Sequence, residues 1–310
     1  MTTLTTEAGT IQRMRETFVH TLDRAMNDDP RLALVLAATA LGPFARTALT
    51  HPNRVVNVGI REQLMITTAA GLALTGLRPV VHAPALVERA FGQLKTDLTH
   101  QDAGAVLVST GASHDTPEQG RTRMAPGDIA LLDTLPGWTV HVPGHADEVP
   151  RLLAPALTGG DRVYLRLSTR GNAAARPVGQ GLVVVRSGSR RAAGTVIAVG
   201  PMLDRVLAAT RELDVTVAYL ATVRPFDRTG LSRIVARAGH ADVMIVEPYL
   251  RGTSAHEIAE ALNGRRHRQL GLGTLRHTEI RGYGAPDDHD RAHGLDTAGL
   301  ARHARDFFLD

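Results

Sequence analysis

No cysteine occurs anywhere in the 310 residues. Disulfides, thiolate catalysis and cysteine-based zinc sites are therefore excluded. Aromatic residues make up only 4% of the chain, so its core must be aliphatic and it offers few platforms on which nucleic-acid bases could stack. No apolar run is long enough to span a bilayer. The opening Met1-Thr2-Thr3-Leu4-Thr5 lacks the charged-then-apolar pattern of a signal peptide. A cytoplasmic protein is expected. Runs of like charge are missing too, and the net charge of +4 arises from scattered arginines. That pattern points to small anionic substrates such as phosphates or carboxylates, and away from nucleic acid or a membrane surface.

The chain is 43% hydrophobic and 21% charged, ample for a buried core, and its length accommodates two ordinary domains. Ile11, Met14, Phe18, Leu22 and Ala25 recur at helical spacing. Leu32 to Leu36 is a short continuous apolar run of the kind found in buried parallel strands. Further strands are predicted at Pro79 to His82, Ala105 to Val108, Trp138 to Pro143 and Val163 to Leu167, with helices near Leu86 to Leu98 and Ala146 to Leu157 between them. A Gly-, Ala-, Arg- and Ser-rich stretch follows, with Leu182 to Val185 as a candidate edge strand. A second alternating series begins at Thr195 and includes a helix predicted over Gly230 to Ala238. The expectation is an α/β protein of two domains, each a mostly parallel sheet flanked by helices: residues 1–175, a linker over 176–193, and 194–310.

One stretch stands apart. Asn57-Val58-Gly59-Ile60-Arg61-Glu62-Gln63 turns into Leu64-Met65-Ile66-Thr67-Thr68-Ala69-Ala70-Gly71-Leu72-Ala73. It places a single carboxylate in the first turn of a small-residue, apolar helix that reads as buried on nearly every side. Glu62 can serve there as a first-turn charge favoured by the helix dipole. Alternatively, a carboxyl kept in a dry pocket has its pKa raised and can share a proton with a ring nitrogen of a ligand.

The order of motifs decides between these. Besides the Asn57 to Ala73 stretch, the chain carries Arg89-Ala90-Phe91-Gly92-Gln93, Asp128-Ile129-Ala130-Leu131-Leu132, Leu135-Pro136-Gly137-Trp138-Thr139-Val140, Tyr164-Leu165-Arg166-Leu167 and Val223-Arg224-Pro225-Phe226-Asp227. In this order they resemble the C-terminal half of transketolases and 1-deoxyxylulose-phosphate synthases, and more closely the separately encoded C-terminal subunit of split bacterial transketolases. The resemblance runs over about residues 11 to 260. It implies a pyrimidine-binding domain followed by a transketolase C-terminal domain, with thiamine diphosphate (ThDP) held between this chain and the diphosphate-binding domain of another. Such a domain holds Mg²⁺ and the diphosphate through a Gly-Asp-Gly motif followed by an Asn. Here Gly159-Gly160-Asp161 precedes a strand and no Asn follows at the right spacing. An N-terminal, diphosphate-binding partner subunit is therefore expected, in a heterodimer or an α2β2 assembly. The partner would carry the Mg²⁺, no metal ligands are assigned to this chain, and self-association would run through the C-terminal half.

By the same resemblance, Glu62 matches the glutamate that protonates the aminopyrimidine of ThDP. Leu86, with Val87 beside it, takes the place of the aromatic ring that family members stack on the pyrimidine, and Thr39 takes the place of an aspartate cofactor contact. Arg123 in Gly120-Arg121-Thr122-Arg123 replaces a histidine that handles the substrate hydroxyl. An arginine cannot act as a base near pH 7, but it can clamp a carboxylate or phosphate. His114 in the same loop is a candidate for the displaced proton work, or else a solvated loop residue. Arg170 and Arg89 match phosphate-contacting arginines of relatives and Arg15 is a further candidate, each weighed against a plain surface role. Thr67 and Thr68 read as helix packing, and Glu247-Pro248 with Arg251 to His256 read as structural contacts. The leading reading is a ThDP-dependent transferase moving a two-carbon ketol or acyl unit from a ketose phosphate or 2-oxo acid to an aldehyde-type acceptor. The Arg- and Ala-rich usage associates it with secondary metabolism in a high-GC bacterium. The alternatives are a non-catalytic structural or regulatory partner that has lost ThDP binding, and the β subunit of a 2-oxo acid dehydrogenase.

Overall fold

Strand-forming runs and amphipathic helices assemble here into two sheets. The computed structural model describes residues 13–37, 42–238, 240–278 and 280–309. Ile11 and Thr39 lie outside them. The first sheet has seven strands in the order β10-β5-β6-β4-β3-β1-β2. They are β1 (Leu32–Leu36), β2 (Val55–Asn57), β3 (Arg78–His82), β4 (Val106–Thr110), β5 (Trp138–His141), β6 (Arg162–Leu167) and β10 (Thr222–Arg224). All pair in parallel except β10, which runs antiparallel to β5. The second sheet is ordered β12-β11-β8-β9-β7, from β7 (Val183–Arg186), β8 (Thr195–Val199), β9 (Thr216–Leu220), β11 (Val243–Leu250) and β12 (Gln269–Thr274). Only β7, at its edge, is antiparallel. Two mostly parallel α/β sheets are thus what the apolar runs foretold.

Strand alternation distributes the core. Leu32, Leu34 and Leu36 face one cluster with Phe18, Leu22 and Leu153, while Val35, between them, faces the other with Met65, Leu86 and Leu107. Side chains two apart share a face of a strand, so a run buried on both faces reads as continuously apolar.

The two halves are stitched at several points. β10 leaves the second half of the chain to extend the first sheet, pairing Thr222 with His141. Its Arg224 forms a two-pronged ion pair with Asp133 (Nη2 to Oδ2 2.8 Å). Asp227 then caps the Arg228–Arg237 helix, accepting from Gly230 N at 2.8 Å, which starts that helix two residues before the Gly230 expected from the sequence. Asp227 also accepts from Leu182 N at 3.0 Å, fastening the approach to β7. Glu247, fully buried, accepts from Ser254 N at 3.1 Å.

The helix expected over Leu86 to Leu98 is a composite. An α-helix, Leu86–Gln93, kinks at Ala90 and passes into a π-helical segment, Leu94–His100. Thr99 Oγ1 bonds back to Leu94 O at 2.9 Å and receives Trp138 Nε1 at 3.0 Å. Wider turns of this sort recur near functional sites.

His82, at the end of β3, is buried against Phe18 and Phe44, with ring centroids 5.4 Å from each. Burial pushes its pKa down from 6.5 to about 4. The unfolded chain therefore takes up a proton that the folded chain refuses. The stability associated with the neutral ring is complete above pH 6.5 and is lost as the pH falls towards 4. By linkage that loss reaches about 3 kcal/mol. Urea unfolding of wild type and His82→Leu at pH 7 and pH 4.5 checks it: the variant should show a flatter pH dependence, and equal slopes would remove His82 as a cause.

Candidate active site

The Asn57 to Gln63 stretch builds its turn as its residues dictate. Gly59 adopts φ +78°, the left-handed region open to glycine, and its N–H is taken by Asn57 Oδ1 at 3.1 Å. The Glu62–Leu74 helix follows, with Glu62 8% exposed in its first turn. Arg89 Nη1 donates to Glu62 Oε1 at 2.5 Å. Among the described residues, no other group donates to this carboxylate. Gln63 Nε2 reaches Arg89 O at 2.8 Å, which locks the two helices together at this corner.

The helix is not buried all round. Glu62, Met65, Ile66, Ala69 and Ala70 face the core. Ile60, Leu64, Thr67, Gly71 and Leu74 form an exposed stripe, with Ile60 66%, Leu64 43% and Leu74 63% exposed. Leu64, Thr67, Gly71 and Leu74 follow the i, i+3, i+7 spacing of one helix face, and Ile60 precedes the helix. A second apolar face needs a second surface to cover it, and periodicity alone does not say whether that surface lies in the same chain.

Arg89 is not an open anion site. Besides Glu62 it donates from Nη2 to Thr122 O at 2.5 Å. This anchors the loop that carries Arg123, a half-buried side chain one residue further on. Leu86 and Val87 are wholly buried in the core behind this corner, so neither presents a free face to a ligand in the isolated chain. Arg15 is exposed on the Arg13–Asp28 helix.

Arg170 and His114 lie together, in a different place. Both line a cavity of about 690 Å³ with Arg166, Asp204, Arg205 and Asp290. Arg170 is held by two carboxylates of the Pro286–His293 helix, by Asp287 at 2.8 Å and by Asp290. Arg205 also bonds Asp290, at 2.6 Å. An anion reaching Arg170 has to displace these carboxylates, so the guanidinium is less available than its sequence position implied.

His114 is packed against two other imidazoles, His289 and His293, with ring centroids 4.9 Å from each. Burial, then the neighbouring charges of His293 and His289, pushes its pKa down to about 3. A ring with so little affinity for protons is a poor base at neutral pH, so the proton-transfer role read for His114 finds no support in its surroundings. His289 and His293 went unnoticed in the sequence. Their four-residue spacing in a polar tail was the available signal.

Beneath the loop over 111–127 lies a charge network that the motifs contain but do not disclose. Arg166, 1% exposed, donates from Nε to Asp128 Oδ2 at 2.7 Å. Tyr164 OH donates to the same oxygen at 2.7 Å and meets Ser109 Oγ at 2.6 Å. Arg166 Nη2 reaches Ser113 Oγ at 2.7 Å, and Glu88 Oε1 receives Gly127 N at 2.8 Å. Burial, then the Asp128 charge, raises the Tyr164 hydroxyl well above its ordinary pKa, which keeps it a donor. The network fixes both ends of the loop that carries Arg123.

Comparison with known proteins fits this architecture. The family described as transketolase, pyrimidine binding domain matches residues 12–173, and that described as transketolase, C-terminal domain matches residues 184–300. An uncharacterized 33.6 kDa protein in the fasciation locus of Rhodococcoides fascians is 50% identical over 293 residues, covering 94% of this chain and 93% of that protein. The 1-deoxy-D-xylulose-5-phosphate synthase 2 of Geobacter sulfurreducens is 31% identical over 313 residues, 93% of this chain but 48% of the synthase. The chain thus spans about half the length of the synthases it matches. Among solved structures, a split gene transketolase described as an inactive β4 tetramer has a TM-score of 0.80 at 22% identity, covering 96% of this chain and 98% of its own. Transketolase from Campylobacter jejuni has a TM-score of 0.75 at 17% identity, covering 94% of this chain and 46% of its own. These last two likenesses concern the fold.

Proposed function

This chain belongs to the transketolase family, and from that membership we propose that it is the pyrimidine-binding subunit of a two-component, ThDP-dependent carboligase. The observation that carries this reading is the Glu62 corner. A nearly buried carboxylate has one oxygen engaged by Arg89, and it stands at the edge of an apolar stripe that this chain leaves uncovered. The second oxygen, with no donor among the described residues, suits a ring nitrogen at that edge. The stripe suits a partner surface that would exclude water from it.

ThDP, when bound, supplies a thiazolium carbon that can carry a two-carbon ketol or acyl unit. The residues of this chain do the rest. Glu62 exchanges a proton at its carboxylate oxygen. Arg89 holds that carboxylate in one orientation and ties it to the loop of Arg123. Arg123 is a fixed cation for a phosphate or carboxylate of the substrate, with Arg170 and Arg15 as further candidates. The diphosphate and its Mg²⁺ fall to the partner subunit, which would bring the Gly-Asp-Gly motif absent here. The donor is a ketose phosphate or 2-oxo acid and the acceptor an aldehyde-type compound.

Calorimetric titration of ThDP and Mg²⁺ into this chain, into a diphosphate-binding partner, and into their mixture tests the proposal. Only the mixture should bind tightly, and Glu62→Ala in the mixture should weaken binding. Equal affinity of wild type and variant favours the non-catalytic reading, to which the fully buried Leu86 and Val87 lend weight. The stripe has its own test. Leu64→Glu should leave the fold intact, since the side chain already reaches water, while weakening subunit assembly by tenfold or more in sedimentation velocity. Unchanged assembly would place the interface elsewhere.

A further inference from the structure

The three packed imidazoles of His114, His289 and His293 have chemistry that the Glu62 corner does not use. His114 comes from the loop after β4. His289 and His293 come from one face of the Pro286–His293 helix, four residues apart. One ligand atom from each lies within 4.8 Å of the others. His289 and His293 are 1% and 6% exposed. Each ring has one nitrogen engaged and one idle. His114 Nε2 meets Thr274 Oγ1 at 3.2 Å, His289 Nε2 meets Tyr283 O at 3.0 Å, and His293 Nδ1 accepts from Leu275 N at 3.3 Å. Nδ1 of His114, Nδ1 of His289 and Nε2 of His293 are buried with no partner.

Three buried, unsatisfied ring nitrogens in one place are costly unless something binds them. We propose that His114, His289 and His293 form a binding site for a divalent transition-metal ion, with zinc as its natural occupant. Neutral imidazole is the ligating form, and three such nitrogens with an open fourth position suit zinc, whereas Mg²⁺ and Ca²⁺ want oxygens. The outer contacts of His114 and His289 follow the usual pattern, in which the second ring N–H is held by a hydroxyl or carbonyl and fixes the tautomer. The three rings stack, His114 lying at 16° to His289 and 22° to His293. Each must therefore tilt for its in-plane lone pair to meet the ion, and His293 must adjust most. Its Nδ1 now accepts from an amide, so Nε2 carries the proton, and binding there requires the ring to give up the 3.3 Å bond, the longest of the three. All three rings line a cavity of about 330 Å³ with Met124, Thr274 and Ile280, which provides room for a fourth ligand and a way in. Among the described residues, Arg121 and Arg166 are nearby cations and Asp290 a nearby anion.

Such an ion joins the loop of His114 to the tail helix, and so bears on the loop that carries Arg123. It does not depend on the ThDP reading, because the lone chain provides all three histidine ligands. The test is Zn²⁺ titration of the full chain prepared without a histidine tag, with the bound metal measured after dialysis and the thermal midpoint followed. Wild type should retain one equivalent and gain thermal stability on loading. His114→Asn and His289→Asn should each bind at least about tenfold more weakly, and Thr274→Val, which touches only the outer contact, about tenfold. Retention of a full equivalent by the His114→Asn/His289→Asn double variant overturns the site, as does wild-type binding no tighter than that of the single variants. If the variants fail to fold, NMR of the wild-type histidine rings decides: signals of all three should move on one equivalent of Zn²⁺, and unmoved signals overturn it.

Discussion

Asp128→Ala lowers the unfolding free energy by about 3–5 kcal/mol, the typical cost of leaving one member of a buried ion pair without the other. This is the expected result of urea denaturation at neutral pH. Asp128 is 1% exposed, as is Arg166, and its Oδ2 receives both Arg166 Nε and Tyr164 OH at 2.7 Å. Removing the carboxylate strands a guanidinium that cannot lose its proton and takes away one of the two hydroxyl partners of Tyr164. The remaining contacts of Arg166, to Ser113 Oγ and Ala125 O, are neutral acceptors. Replacing both partners by apolar residues, Asp128→Leu with Arg166→Met, should recover a large part of the loss, because neither member of the pair is then left as an unpaired buried charge. A loss below about 1 kcal/mol for Asp128→Ala would put this pair in the range of exposed ion pairs and contradict its burial. Because the network also secures the loop over 111–127, the same variant should speed proteolysis within that loop before global unfolding.

Glu62→Gln in the assembled two-subunit enzyme should cut turnover by about 10²- to 10⁴-fold, the usual contribution of one positioned proton-transfer group. The amide is nearly isosteric and keeps an acceptor for Arg89 Nη1, so the corner with Gln63 and the Leu86–Gln93 helix stays built. Assembly and thermal midpoint should therefore change little. Arg89→Ala separates orientation from chemistry. It removes both the Glu62 contact and the Thr122 anchor, so KM for the anionic substrate should rise together with the fall in kcat. Turnover in Glu62→Gln within twofold of wild type would remove Glu62 from the chemistry and leave the chain a structural partner.

The strands were legible because each depends on local pattern. Leu32 to Leu36 reads as a doubly buried strand whatever lies beside it, and the edge strand at Val183–Arg186 was visible within a Gly-rich connection. The ends of elements were less so. Asp227 extends its helix by two residues because a carboxylate meets Gly230 N, and the helix after Leu86 widens into a π-turn where Thr99 bridges Leu94 and Trp138. At the site, Glu62 could be singled out because a lone carboxylate in an apolar helix is locally odd. Its partner could not, since Arg89 lies 27 residues away. Arg170 looked like a free phosphate contact until Asp287 and Asp290, more than a hundred residues on, were found against it. His114 looked like an isolated loop residue for the same reason.

What the sequence determined by itself is the layered α/β architecture, the aliphatic core and the carboxylate at the head of the Glu62–Leu74 helix. Periodicity and turn chemistry act over a few residues and do not wait for the rest of the chain. Tertiary structure alone decided which charges are paired. It set Arg89 on Glu62, Arg166 on Asp128, and Arg170 between two aspartates, and it gathered three histidines from two distant segments. It also left one apolar stripe uncovered. Such pairings follow from the order of strands in a sheet and the crossings between them, and a charge is available for chemistry only when that order leaves it without a closer partner.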